Sequence, residues 1–112
     1  MNFYLNYGVK GNKNIDEVLT IIIDLLDNVK AEKRESDYYG EYYKCFGMAF
    51  DTLKIYKNNE ELIQFPDEHI IVITLSISTG RNKDRKSKYK FVKKAFEKNN
   101  EFEIFKDNIV EE

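Results

Sequence analysis

Cysteine and histidine are almost missing from this chain. Cys45 and His69 are the sole representatives of their kinds. That excludes an internal disulfide framework, and it leaves too few ligands for a zinc site, which takes several such side chains. A single thiol also makes cytosolic residence the expectation. No apolar run approaches the roughly twenty residues that span a bilayer. Met1-Asn2-Phe3-Tyr4-Leu5-Asn6 has no basic region, long apolar region or small-residue cleavage site, so no secretory leader is expected. Catalytic signatures are equally scarce. There is no Gly-x-Ser-x-Gly elbow and no Asp-x-Asp-x-Asp-Gly loop, and Gly8-Val9-Lys10-Gly11-Asn12-Lys13 is neither a P-loop nor a dinucleotide fingerprint. Cys45, inside Tyr43-Lys44-Cys45-Phe46, reads as a small buried hydrophobe. His69 reads as a hydrogen-bonded structural residue. The plentiful acids leave oxygen-ligand sites for magnesium or calcium open, but no cofactor, metal site or catalytic residue is assigned, and the working position is a non-enzyme.

What is present is a core. Its strongest signal is His69 to Thr79, rich in β-branched residues that favour an extended backbone. From Ile70 to Ile73 both parities are apolar, which implies cover on both faces. From Thr74 onward Leu75 and Ile77 alternate with Thr74, Ser76 and Ser78, which implies cover on one face. Pro66 before the run and Gly80 after it favour a central strand over a buried helix. With 112 residues, 42% hydrophobic content and sixteen aromatics, the chain is long and apolar enough for one domain, 1–112, with one core.

Other elements follow from periodicity. Phe3, Leu5, Tyr7 and Val9 alternate as a first strand, ended by Gly8 and by Gly11-Asn12. Asn14 suits a helix N-cap, and Glu17 completes a capping-box pair. Ile15, Val18, Leu19, Ile22, Leu26 and Val29 set a helix over 15–30, widened by Ile21, Ile23 and Leu25. Residues 31–37 read as a polar connector. Residues 38–46 fit either a helix or a strand, with strand favoured from Tyr42. Leu53–Tyr56 and Glu61–Phe65 flank Lys57-Asn58-Asn59-Glu60 as a hairpin. A second helix is placed at 84–98, with Tyr89, Val92, Ala95 and Phe96 inward. Phe102, Ile104 and Ile109 form a last strand. The expected fold is α+β: a mainly antiparallel sheet of about five strands with two helices on one face, in the order β-α-β-β-β(-β)-α-β.

Charge is segregated. Residues 81–98 hold nine basic residues and two acids, whereas the rest of the chain holds nine basic and eighteen acidic residues. Either two solvated faces attract one another within the fold, or two surfaces of opposite potential await partners. The basic segment offers Arg81, Lys83, Arg85, Lys86, Lys90 and Lys93 to phosphates, with aromatics nearby for stacking. The acidic segment, Glu35-Ser36-Asp37-Tyr38-Tyr39-Gly40-Glu41-Tyr42-Tyr43, sets four tyrosines among three acids. Tyrosine is a favoured interface residue, and surrounding acids steer a basic partner. Asp24, Asp27, Glu60 and Glu61 are candidate contributors to that surface. A literal acid…acid-x-Lys pattern of restriction-type nucleases, Asp67 with Asp84 and Lys86, falls in a polar stretch without strand character and is set aside.

A small, acidic-bodied, aromatic-rich chain with this acidic tyrosine surface and no catalytic set resembles the immunity proteins of bacterial polymorphic and contact-dependent toxin systems. The resemblance lies in general character over the whole chain and rests on no motif. It implies a cytoplasmic protein that binds a cognate toxin domain, such as a basic nuclease, and occludes its active or substrate-binding site. The implied contact residues are Glu35, Asp37, Tyr38, Tyr39, Glu41 and Tyr42, with Asp24, Asp27, Glu60 and Glu61. The alternative is a nucleic-acid-binding accessory protein, or an inhibitor of a nucleic-acid enzyme, acting through 81–98.

Overall fold

The apolar parity of the N-terminal segment and that of the central run meet in one sheet. A computed structural model of the chain describes residues 2–9, 13–26, 28–37, 40–57, 71–99 and 102–110, with residue 82 and residues 102–110 described by backbone alone. The elements are β1 (Asn2–Val9), α1 (Ile15–Leu26), β2 (Lys30–Ser36), β3 (Gly40–Phe46), β4 (Thr52–Lys57), β5 (Ile71–Ile77), α2 (Asn82–Glu97) and β6 (Phe102–Val110). Six strands form one sheet in the order β2-β3-β4-β5-β1-β6. Every neighbouring pair is antiparallel. The α+β class and the element order are as the periodicity predicts.

Both helices cover one face, α1 over β3 and β4 and α2 over β1 and β5. Phe3, Leu5, Tyr7 and Val9 of β1 point to that side with Leu53 and Ile55 of β4 and Ile71, Ile73, Leu75 and Ile77 of β5. Period-two alternation thus places one apolar parity of each strand beneath the helices. β5 is a central strand between β4 and β1. Its reading as doubly covered, then singly covered, also holds. Val72 is fully buried on the opposite face with Tyr56 and Tyr42, while Thr74 and Ser76 are half-buried there. Cys45 is wholly buried under α1, and burial pushes its thiol pKa up to about 11, as an inert core residue requires.

Asn14 opens α1 with the predicted capping box. Its Oδ1 accepts from the Glu17 amide at 2.9 Å, and the Glu17 carboxylate accepts from the Asn14 amide at 3.4 Å. Asn14→Ala should therefore cost about 1 kcal/mol, visible as a lower thermal midpoint with no change of fold. A midpoint equal to wild type would mean that the tertiary contacts alone hold the helix start.

Three boundaries differ from expectation. α1 ends at Leu26 rather than residue 30, and Asn28 adopts φ 55°, a left-handed conformation that turns the chain out of the helix. Its stripe is narrower than the sequence suggests, since Ile23 is 43% exposed. Residues 31–37 are not a connector: most of them form β2, an edge strand, exposed along Lys30–Glu35 and half-buried only at Ser36. Its backbone pairs with β3 from Lys30↔Phe46 to Ser36↔Gly40, and backbone pairing leaves no hydrophobic alternation for a sequence pattern to catch. Gly8 does not end β1 but sits inside it opposite Val72. The segment Tyr42–Phe46 is strand, as favoured. The return arm Glu61–Phe65 of the expected hairpin lies outside the described residues, as do His69 and Asp67, and the sheet neighbours of β4 are β3 and β5.

α2 is fastened to β1 by two ring stacks. Phe3 meets Tyr89 at 4.5 Å between centroids, and Tyr7 meets Phe96 at 4.1 Å. A second fastening joins the β3–β4 loop to the start of α2. Asp51 accepts from both amides and both hydroxyls of Ser78 and Thr79, while its own amide donates to the Ser76 carbonyl.

Candidate interaction surfaces

The acidic surface predicted from residues 35–43 divides in two, because neighbouring residues of a strand face opposite ways. On the helix side of the β2–β3 hairpin, Glu35 lies directly opposite Glu41, and both are exposed with Asp37 in the turn beyond them. Tyr43, two residues on, donates its hydroxyl to Asp16 at the start of α1. That bond to a carboxylate, together with burial, raises the tyrosine pKa. Asp16, Glu35, Asp37 and Glu41 therefore belong to one acidic zone formed by α1 and the β2–β3 hairpin. Lys33 is the described counter-charge, bridging Glu41 at 3.8 Å and lying 5.9 Å from the centre of the Tyr43 ring. Both partners of the bridge are at least half exposed, so it offsets little.

Tyr42 is a correction. It points to the helix-free face and packs on Tyr56 and Val72, so it belongs to a second small core and not to the acidic zone. Asp24 is also separate. It is exposed on α1, roughly 12 Å along the helix from Asp16, beside a groove shared with Leu25, Phe91, Lys94, Ala95 and Lys98. Tyr38, Tyr39, Asp27, Glu60 and Glu61 lie outside the described residues. Asp16 was missed as a contributor because, by sequence alone, it reads as a helix-dipole residue.

The basic candidates also divide. Arg85 is committed to the fold, donating to the Gly80 carbonyl at 3.0 Å and to Asn2 Oδ1 at 2.9 Å. Asn2 is a buried polar side chain, so this bond joins the N-terminal strand to α2. Lys93 is half-buried and donates to the Tyr89 hydroxyl at 3.2 Å. Arg81, Lys83, Lys86 and Lys90 remain exposed. Helical spacing puts Lys83, Lys86 and Lys90 on one stripe opposite the buried Val92 and Phe96. Asp84 and Lys86 lie on this helix and not on a strand, unlike the nuclease arrangement.

The helix-free face was not anticipated as a surface. Register sets Arg34, Tyr42, Tyr56, Val72 and Gly8 in one row across it, and Glu32, Lys44, Lys54, Thr74 and Asn6 in the next. Arg34 donates twice to Glu32, at 2.5 and 3.1 Å, and that hydrogen bond raises the guanidinium pKa. Tyr4, Asn6, Thr52, Lys54, Thr74 and Ser76 are among the residues lining a shallow depression. The alternation of polar residues in β4 and β5 was the available signal, but it gives no pairing order.

Among the described residues, no three His, Cys, Asp or Glu side chains converge to hold a metal ion, and no helix is long and apolar enough to cross a membrane. No protein-family model matches the chain, and no curated protein matches it in sequence.

Proposed function

We propose that this chain is an immunity-type protein of the cytoplasm, a binder and not an enzyme. It neutralises a cognate toxin domain with a basic surface by occluding its active or substrate-binding site. The observation that carries this reading is the Glu35–Glu41 pair. Like charges directly opposite across a hairpin weaken it, and here they are exposed, adjoined by Asp37 and backed by Asp16. A basic partner turns that internal repulsion into attraction, and the field of the cluster speeds its approach. The hairpin also stands at the edge of the sheet, where a partner can reach it without disturbing the core.

The test is co-expression with toxin domains encoded beside this chain, read as survival and as association rate. Protection by the wild type is expected. The double variant Glu35→Lys, Glu41→Lys should associate more slowly by about tenfold or more at low salt, with an unchanged circular dichroism spectrum. Protection by none of these pairings, or protection indifferent to the charge reversal, would refute the reading.

The second reading is nucleic-acid binding through α2, supported by the exposed stripe of Lys83, Lys86 and Lys90. It requires salt-sensitive retention on a nucleic-acid column that disappears when Lys86 and Lys90 become Glu.

A further inference from the structure

The groove between α1 and α2 takes part in neither reading. Its floor is apolar, made by Leu25 of α1 and by Phe91 and Ala95 of α2. Asp24 stands on the α1 bank, and Lys94 and Lys98 stand on the α2 bank. Phe91, Ala95 and Lys98 recur at helical spacing, which sets them on one side of α2. Leu25 and Ala95 are half-buried, whereas Phe91 is 48% exposed. The other large apolar side chains of α2, Val92 and Phe96, are buried. A large ring left out beside an apolar floor and rimmed by charges marks a contact surface. None of the described elements covers it.

The two banks carry opposite charge along their length. α1 has three acids, Asp16, Glu17 and Asp24, and no basic residue. α2 has seven basic residues and two acids. Among the described residues, no salt bridge joins Asp24 to Lys94 or Lys98 across the groove. Nucleic acid would be drawn to α2 and repelled by α1, and a basic protein would behave the opposite way. A second copy of the chain offers opposite charge to both helices at once.

We propose that two copies of the chain pair through their helix layers, about a two-fold axis running along this groove. A contact between like surfaces must be self-complementary, and of the two axes in the plane of contact only this one makes it so. It lays α1 of each copy on α2 of the other. Asp24 then meets Lys94 and Lys98 of the second copy, twice over, and Phe91 reaches Leu25 of the second copy. An axis across the groove would set α1 on α1 and bring Asp24 to Asp24. Two short helices make a small interface, so the pairing depends on concentration. No described residue of the acidic hairpin lines the groove. The inference is therefore independent of toxin binding, and its test contains no toxin.

The experiment is sedimentation velocity of the full chain over a concentration series, at moderate and at high salt, with no other macromolecule added. The wild type should pass from monomer to dimer, and high salt should weaken the dimer. Phe91→Ala should weaken it about tenfold. Asp24→Lys, and separately Lys94→Glu with Lys98→Glu, should each weaken it at least about tenfold by setting like charges face to face. All three charge reversals in one chain should return the dimer to within about threefold of wild type, since the charges are then exchanged and not removed. Glu35→Lys with Glu41→Lys should change it less than about twofold. Where thermal melting shows a reversal unfolded, Asp24→Asn and Lys98→Gln replace it, each with a loss of about threefold. A wild type that stays monomeric throughout overturns the proposal. A dimer indifferent to Phe91 and to both reversals overturns it too, as does one lost through the hairpin reversal, because each places the contact elsewhere. A dimer lost to either reversal and not restored by the combined variant refutes the pairing of Asp24 with Lys94 and Lys98, and with it the axis.

Discussion

Phe96→Ala should lower the unfolding free energy by about 3–5 kcal/mol. Phe96 is 1% exposed and stacks on Tyr7 with 9° between the ring planes. Its loss removes both the buried area and the partner of a ring that alanine cannot replace. The other anchors of α2 are Val92 at 0% exposure, the half-buried Tyr89 over Phe3, and the Arg85 bond to Asn2. Its remaining turns are dominated by lysine, and helix propensity alone does not hold a helix of this length. Since domains of this size are stable by only about 5–15 kcal/mol, the variant stands near the threshold. Urea unfolding should show the midpoint falling sharply, and amide exchange should speed up along residues 82–97 before it does elsewhere. A midpoint within experimental error of wild type would mean that α2 is not anchored by this stack.

Asp51→Ala should cost about 2–3 kcal/mol, since hydrogen bonds to a charged acceptor are worth roughly 1.5–3 kcal/mol and their donors are left to find water. One oxygen of Asp51 takes the Ser78 amide at 2.5 Å, the Ser78 hydroxyl at 2.7 Å and the Thr79 amide at 3.0 Å, and the other takes the Thr79 hydroxyl at 2.5 Å. These bonds hold the chain just before Gly80, whose φ of 93° suits glycine, and so set where α2 begins. Partial burial by itself raises the carboxyl pKa, but the bonds from Thr79 and Ser78 outweigh it, and the net shift is downward. A depressed folded pKa makes the sign definite. The stabilisation is complete above the unfolded value of about 3.8 and is lost as pH falls through the lower folded value. The gap in stability between wild type and Asp51→Asn should accordingly be widest near neutral pH and narrow in acid. A gap independent of pH would show that the carboxylate charge contributes nothing.

Much of the fold was legible because its elements bury one parity or one stripe. Phe3-x-Leu5-x-Tyr7-x-Val9, the Asn14–Glu17 box, the doubly apolar Ile71–Ile73 and the Val92–Phe96 side of α2 each appear in the structure where periodicity places them. β2 was illegible for the complementary reason. An edge strand exposed over Lys30–Glu35 is held by backbone bonds to β3, and backbone bonds leave no trace in side-chain pattern. The candidate site was less legible still. Residues 35–43 read as one acidic tyrosine surface along the chain, yet strand alternation sends Glu35 and Glu41 to one face and Tyr42 to the other.

The sequence by itself determined the α+β class, the order of elements, the core-facing parity of the strands and the segregation of charge along the chain. These depend on local spacing and composition, which a linear pattern carries. Only the tertiary structure decided that Glu35 faces Glu41, that Asp16 joins them through Tyr43, that Arg85 serves Asn2 instead of a ligand, and that Lys44 lies opposite Lys54. Register and strand order bring such pairs together across up to 83 positions of sequence separation. They are set by the summed packing of the whole sheet against its helices, which no single segment encodes.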